Sequence, residues 1–122
     1  MGTSFGRVQM RIMQVLWNRG KATALEITKV LNEYEPIDHR NVQTLLRQLE
    51  QKASVAHEKL GRAFVYYPAM TEKSAKKNLI SEFVDTMFSG SVESLVSAMV
   101  KNKYLSSKEL DELLSLVDKE KE

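Results

Sequence analysis

The chain has 122 residues, enough for one domain or two small ones, and its 18 Lys+Arg against 16 Asp+Glu give a net charge of +2, too near balance for a polycationic tail. It contains no Cys, which excludes disulfide frameworks, thiolate metal clusters, iron–sulfur centres and cysteine nucleophiles. No apolar run approaches the roughly 18 residues of a membrane span, and the first residues lack a signal-peptide layout, so a soluble, cytoplasmic protein is expected.

Apolar residues first recur at helical spacing in Val8, Ile12, Met13, Val15, Leu16 and Trp17, with Gly20 as the stop signal of a first helix. Thr23-Ala24-Leu25-Glu26 has the form of a capping box and opens a second helix. Its apolar stripe is Leu25, Ile27, Val30 and Leu31, and it is expected to end near Tyr34, because Pro36 disfavours helical geometry at the residue before it. Asp38 is a suitable N-cap for a third helix over about 38–52, in which Val42, Leu45, Leu46 and Leu49 mark one buried face.

At about 100° per residue, Arg40, Thr44, Arg47 and Gln51 lie opposite that stripe, with Gln43 and Gln48 on its flanks. None is acidic and all can donate hydrogen bonds; Arg and Gln have the reach to read guanine and adenine edges in a major groove. Taken alone, such a face also suits the solvated side of any amphipathic helix.

The period then changes to two. Val55, His57 and Lys59 alternate with Ala56, Glu58 and Leu60, and Gly61-Arg62 leads into Ala63-Phe64-Val65-Tyr66-Tyr67-Pro68, so two strands form a hairpin with Arg62 at its tip. Three helices followed by a hairpin is the order of a winged helix-turn-helix, in which the third helix enters the major groove and the wing sets a cation on the backbone. The charge distribution agrees. Residues 1–70 hold ten basic and six acidic side chains, net +4, whereas residues 71–122 hold eight and ten, net −2. Phosphate contacts by Lys and Arg supply much of the affinity in such modules.

In the last third, Thr71 opens a helix carrying Leu79, Ile80, Phe83, Val84, Met87 and Phe88, closed by Ser89-Gly90. A short helix follows with Val92, Leu95, Val96, Met99 and Val100, and a last one, capped by Ser106 with Glu109, presents Leu110, Leu113, Leu114, Leu116 and Val117. About fifty residues are too few to close a core alone. Burial against a second copy gives an isologous two-fold interface; packing back on the winged helix is the alternative. The expected fold is therefore mainly α: an α+β winged helix-turn-helix with a two-stranded wing over residues 1–70, and a small all-α dimerisation region over residues 71–122. The residues assigned to dimerisation are Leu79, Phe83, Met87, Val92, Leu95, Val96, Met99, Leu110, Leu113, Leu114 and Val117.

Three segments carry a family resemblance: Ile12-Met13-Gln14-Val15-Leu16-Trp17, Asn41-Val42-Gln43-Thr44-Leu45-Leu46 and the wing Gly61-Arg62-Ala63-Phe64-Val65-Tyr66-Tyr67-Pro68. With Gly90-Ser91-Val92-Glu93-Ser94-Leu95-Val96 and Leu105-Ser106-Ser107-Lys108-Glu109-Leu110, the chain resembles the BlaI/MecI family of penicillinase repressors, which includes the copper-responsive CopY type. The wing is the most specific piece. The resemblance implies a bacterial transcriptional repressor that binds inverted-repeat operator DNA as a homodimer. Carried over, Arg40, Asn41, Gln43 and Thr44 match the operator-reading stretch, Arg62 matches the wing arginine, and His39 replaces a Pro often found there and is placed to touch a phosphate.

Two departures bear on induction. Copper-type members carry Cys-X-Cys pairs, so a chain without Cys is not expected to sense copper. Penicillinase-type members are released when a membrane sensor triggers cleavage at an Asn-Phe bond, and the aligned pair here is Ala98-Met99. No Gly-rich phosphate loop, H-E-x-x-H or G-x-S-x-G motif is present, so no catalytic residues, cofactor or metal are expected, His39 and His57 being read as surface or hairpin residues. No small-molecule ligand is evident. A winged helix serving as a protein-interaction scaffold remains the alternative, since fold does not fix function; the basic face of Arg40, Arg47 and Arg62 is what distinguishes the two.

Overall fold

The computed structural model describes the backbone of residues 5–121 and the side chains of residues 5–117. In chain order the elements are α1 (Arg7–Arg19), β1 (Ala22–Thr23), α2 (Ala24–Leu31), α3 (His39–Gln51), β2 (Val55–Leu60), β3 (Ala63–Pro68), α4 (Glu72–Met87), α5 (Val92–Lys101) and α6 (Ser107–Lys121). The chain divides into two compact units, residues 1–79 and 80–122, with α4 running across the division. Among the described residues, no helix is long and apolar enough to cross a membrane.

The first unit is built on the stripes legible in the sequence. Ile12, Met13, Val15 and Leu16 of α1 meet Ile27 and Leu31 of α2 and Val42, Leu46 and Leu49 of α3 in one buried cluster, which Ala22, Val55 and Tyr66 complete from the strands. Trp17, half-buried at the end of α1, donates its indole N–H to the carbonyl of Met70 at 3.0 Å and so ties the far end of the hairpin segment to the first helix. Gly20 ends α1 at φ 85°, a conformation that a Cβ would strain.

Two details depart from the expectation. The sheet has three strands, in the order β1-β3-β2, because Ala22 and Thr23 pair with Tyr66 and Val65 of β3. Two residues are too short for alternation to reveal, and their pairing partner lies over forty residues away. The second helix also stops at Leu31 rather than near Tyr34. Asn32 causes this: its side-chain amide donates to the carbonyls of Thr28 and Ile37 while its oxygen accepts from the Ile37 amide at 3.2 Å, closing the loop on itself. Such local side-chain bonding competes with helix continuation.

The wing is tightly specified. β2 and β3 pair in register from Val55↔Pro68 to Leu60↔Ala63, leaving Gly61 and Arg62 as a two-residue loop. The positive φ of 64° falls on Gly61, the first loop position, as a type II′ hairpin turn requires. Ala53, by contrast, holds φ 62° just past α3, where Ser54 donates its amide to the Leu49 carbonyl at 2.9 Å. Gly is the residue that adopts this cap without a Cβ penalty. Ala53→Gly is therefore expected to stabilise the chain by about 1 kcal/mol, read as a raised urea midpoint at unchanged slope; a lower midpoint would contradict the cap geometry.

The later helices are capped by hydroxyls, at Thr71 and Ser106 where the sequence predicts helix starts and at Ser91 as well. The Thr71 hydroxyl accepts from Ser74 N, the Ser91 hydroxyl from Ser94 N, and Ser106 and Glu109 form a reciprocal box at 3.0 and 3.1 Å. Thr23 and Glu26 make the same box at the head of α2. Backbone and hydroxyl hydrogen bonds from the cap residue hold both Glu26 and Glu109 below the ordinary carboxylate range. The contribution is complete above the unfolded carboxyl value and is lost as pH falls through the lowered folded one. In the second unit the apolar residues are mostly uncovered: among the described ones, only Val84 and Leu105 are buried hydrophobics.

Candidate nucleic-acid interface

Asp38 accepts from the Arg40 amide at the head of α3, and Pro36 keeps the preceding loop extended, so the helix begins with its outer face free of other elements. On that face Arg40, Asn41, Thr44, Arg47 and Gln51 are all exposed. Thr44 donates its hydroxyl proton to the Arg40 carbonyl at 3.0 Å and accepts from Arg47 Nη2 at 3.3 Å. The hydroxyl thus bonds within the helix and meets the Arg47 guanidinium, with its proton already donated.

Gln43 and His39 lie on the flank turned towards the wing. With Arg62 they line one groove of about 310 Å³ between the start of α2, the first half of α3 and the hairpin. Thr23, Leu25 and Phe64 line it too. Leu25 and Phe64 are exposed apolar residues that sequence reasoning did not select for the site. Phe64 had a usable signal: period two puts it on the same face as Tyr66, the cross-strand partner of His57.

Gln48, on the opposite flank, is exposed but bonded to the first helix. Its side-chain oxygen accepts from Gln9 Nε2 at 3.0 Å, so it braces α3 against α1. His57 is likewise structural in its contacts. Its Nδ1 lies 2.8 Å from Glu50 Oε1, and its ring stacks on Phe64 at 4.4 Å and tilts against Tyr66 at 5.5 Å. This cluster latches the hairpin to the end of α3. Burial holds the Tyr66 phenol above its ordinary range; the Glu50 carboxylate adds to the effect and Arg47 opposes it.

The charges sort into spent and unspent. Arg7 grips Glu35 through two bonds of 2.6 and 3.2 Å, and Lys21 meets Glu58 at 2.7 Å, which holds the Lys21 ammonium above its ordinary range through that hydrogen bond and the attraction of the same carboxylate. Among the described residues, neither Arg40, Arg47 nor Arg62 pairs with a carboxylate. Also among the described residues, no group of three or more His, Asp or Glu is placed to hold a metal ion.

A helix-turn-helix core, a sheet with a two-residue wing and an outer helix face of unpaired cations and amides define a DNA-binding winged-helix protein. Comparison with known proteins narrows this further. The sequence pattern described as "Penicillinase repressor" matches residues 5–119, and the chain belongs to that family. It is 27% identical to the penicillinase repressor of Bacillus licheniformis over 113 residues, 93% of this chain and 88% of the relative. Among solved structures, it resembles the DNA-binding domain of the repressor BlaI, with a TM-score of 0.54 at 28% identity over 59% of this chain and 88% of that one. It also resembles the monomeric form of Bacillus licheniformis BlaI in complex with the blaP half-operator, with a TM-score of 0.50 at 28% identity over 57% of this chain and 85% of that one.

Proposed function

We propose that this protein represses transcription by occupying an inverted-repeat operator as a homodimer, with residues 1–70 meeting DNA and residues 71–122 meeting the second copy. The observation that carries the reading is the outer face of α3, where Arg40, Arg47 and, across the groove, Arg62 stand without carboxylate partners among the described residues. A protein-interaction scaffold has no need of that arrangement; duplex DNA does.

Within this reading, α3 lies in the major groove. Arg40, Asn41 and Gln43 read base edges, and Thr44, its hydroxyl already committed to Arg40 and Arg47, offers its methyl to thymine. Arg47, Gln51 and His39 meet phosphate or base edges along the flank, and Arg62 sets the wing on the backbone. A two-fold dimer presents its two helices to half-sites spaced by whole turns, about 34 Å or a multiple. The likeness to monomeric Bacillus licheniformis BlaI in complex with the blaP half-operator supports operator DNA as the partner.

The second copy covers the apolar faces of α4, α5 and α6. Phe83, Met87, Val92, Leu113, Leu114 and Val117 are exposed in the single chain, and Leu79, Leu95, Val96, Met99 and Leu110 are partly so. Release follows regulated proteolysis in this region, downstream of a membrane sensor. Ala98 and Met99 lie inside α5, and both carbonyls are occupied: Ala98 O accepts from Asn102, and Met99 O from Tyr104 and Leu105. A protease needs extended backbone, so α5 must unwind before any bond there is cut.

Binding of the full chain to its own upstream DNA over a salt series tests the reading. Affinity is expected to fall steeply with salt and to exceed that for unrelated duplex by at least about 10³-fold. Affinity indifferent to both sequence and salt would sink it.

A further inference from the structure

The groove between the start of α2, the first half of α3 and the hairpin carries two large apolar side chains that the core does not use. At about 100° per residue Leu25 lies roughly opposite Ile27 on α2. Ile27 and Leu31 are therefore buried, whereas Leu25 leaves the stripe expected of it and lines the groove at 54% exposure. On the hairpin side Phe64 is 46% exposed. Its ring is held in place: it stacks on His57 at 4.4 Å, and His57 Nδ1 lies 2.8 Å from Glu50 Oε1. A ring already fixed loses little freedom when a ligand covers it.

Scattered exposed apolar residues are ordinary and ask for nothing by themselves. These two share their groove with Arg62, His39 and Gln43, and none of the described residues lining it is acidic. Lys59, the cross-strand partner of Phe64, is exposed and, like Arg62, meets no carboxylate among the described residues. Apolar surface beside unpaired cations suits a ligand that alternates hydrocarbon with anion, as the sugar–phosphate chain of a nucleic acid does. We infer, resting on the DNA-binding reading above, that Leu25 and Phe64 seat a deoxyribose of the strand that passes between α3 and the wing. With α3 in the major groove and Arg62 on the backbone, that strand crosses this groove. The bases of a duplex are stacked on one another, so the C–H face of the sugar is the apolar surface on offer. Every nucleotide has that face, so the contact adds affinity without sequence preference; being uncharged, it releases no counterion.

The test is binding of the full chain and its variants to its own upstream DNA and to unrelated duplex over a salt series. Leu25 lies outside the buried cluster, and Ala is a good helix former, so Leu25→Ala leaves the fold in place. It is expected to lower affinity for both duplexes about fivefold at an unchanged salt slope. Phe64→Ala is expected to do the same; should it fail to fold for want of the His57 stack, Leu25→Ala decides alone. The deficit is expected to persist on duplexes in which deoxyuridine replaces thymine, which removes the methyl groups a base-reading side chain would touch. A deficit that vanishes on deoxyuridine DNA, one confined to particular sequences, or one that alters the salt slope overturns the sugar seat. Unchanged DNA affinity overturns it too, and altered sedimentation of the free Leu25→Ala chain would then assign the groove to a protein contact. If the parent chain itself bound DNA without regard to salt or sequence, the DNA-binding reading would fall first, an outcome distinct from a failure of the variants alone.

Discussion

If the proposed homodimer holds, Leu114→Asp is expected to make the full chain monomeric and to lower operator affinity by roughly a hundredfold or more, because each half-site must then be bound without the effective concentration supplied by its twin. Leu114 is 54% exposed in the single chain, so a carboxylate there costs the isolated protomer little. In a two-fold interface the same carboxylate is buried twice over, and an unpaired buried charge is far more costly than an exposed one. Sedimentation equilibrium reads the first effect and operator titration the second. Phe83→Asp, at 48% exposure on α4, extends the test to a second helix. If both variants stayed dimeric at the parent's dissociation constant, the interface would have to lie elsewhere, and residues 71–122 would lose their assigned role.

The second prediction separates the two kinds of DNA contact. Arg62→Ala is expected to weaken binding to every duplex about equally and to reduce the slope of log affinity against log salt by about 1, as removal of one phosphate contact does. Gln43→Ala is expected instead to change the preference between operator and altered operators by about 1–3 kcal/mol at the base it reads. The structure makes both substitutions clean. Among the described residues, Arg62 is exposed at the wing tip without an ion pair and the Gln43 side chain makes no hydrogen bond, so neither change removes a side-chain bond on which the fold depends. A Gln43→Ala variant with unaltered sequence preference, together with an Arg62→Ala variant with an unaltered salt slope, would contradict the orientation of α3 and the wing on DNA.

Much of the site was legible in the chain because its signals are local. The stripe of Val42, Leu45, Leu46 and Leu49 locates the inner face of α3, and the opposite face follows from helical geometry alone. The boxes at Thr23/Glu26 and Ser106/Glu109 form between residues three apart, and their chemistry is complete within that span. Gln48 shows the limit. Helical geometry gives it a flank and nothing more; its commitment to Gln9, thirty-nine residues earlier, depends on how α1 crosses α3. The same holds for Leu25 and Phe64, which join the groove because α2 and the wing converge on the head of α3.

Composition, period and capping residues were enough to establish three helices and a hairpin, a basic first half, an apolar second part and a family resemblance, because each rests on residue identity or on neighbours within one or two turns. Packing had to settle which cations are spent on Glu35 and Glu58 and which, among the described residues, meet no carboxylate, and that His57 latches the wing through Glu50. Those features depend on side chains brought together from distant parts of the chain. No local pattern encodes their distances; they follow only once the helices and strands have closed on one core.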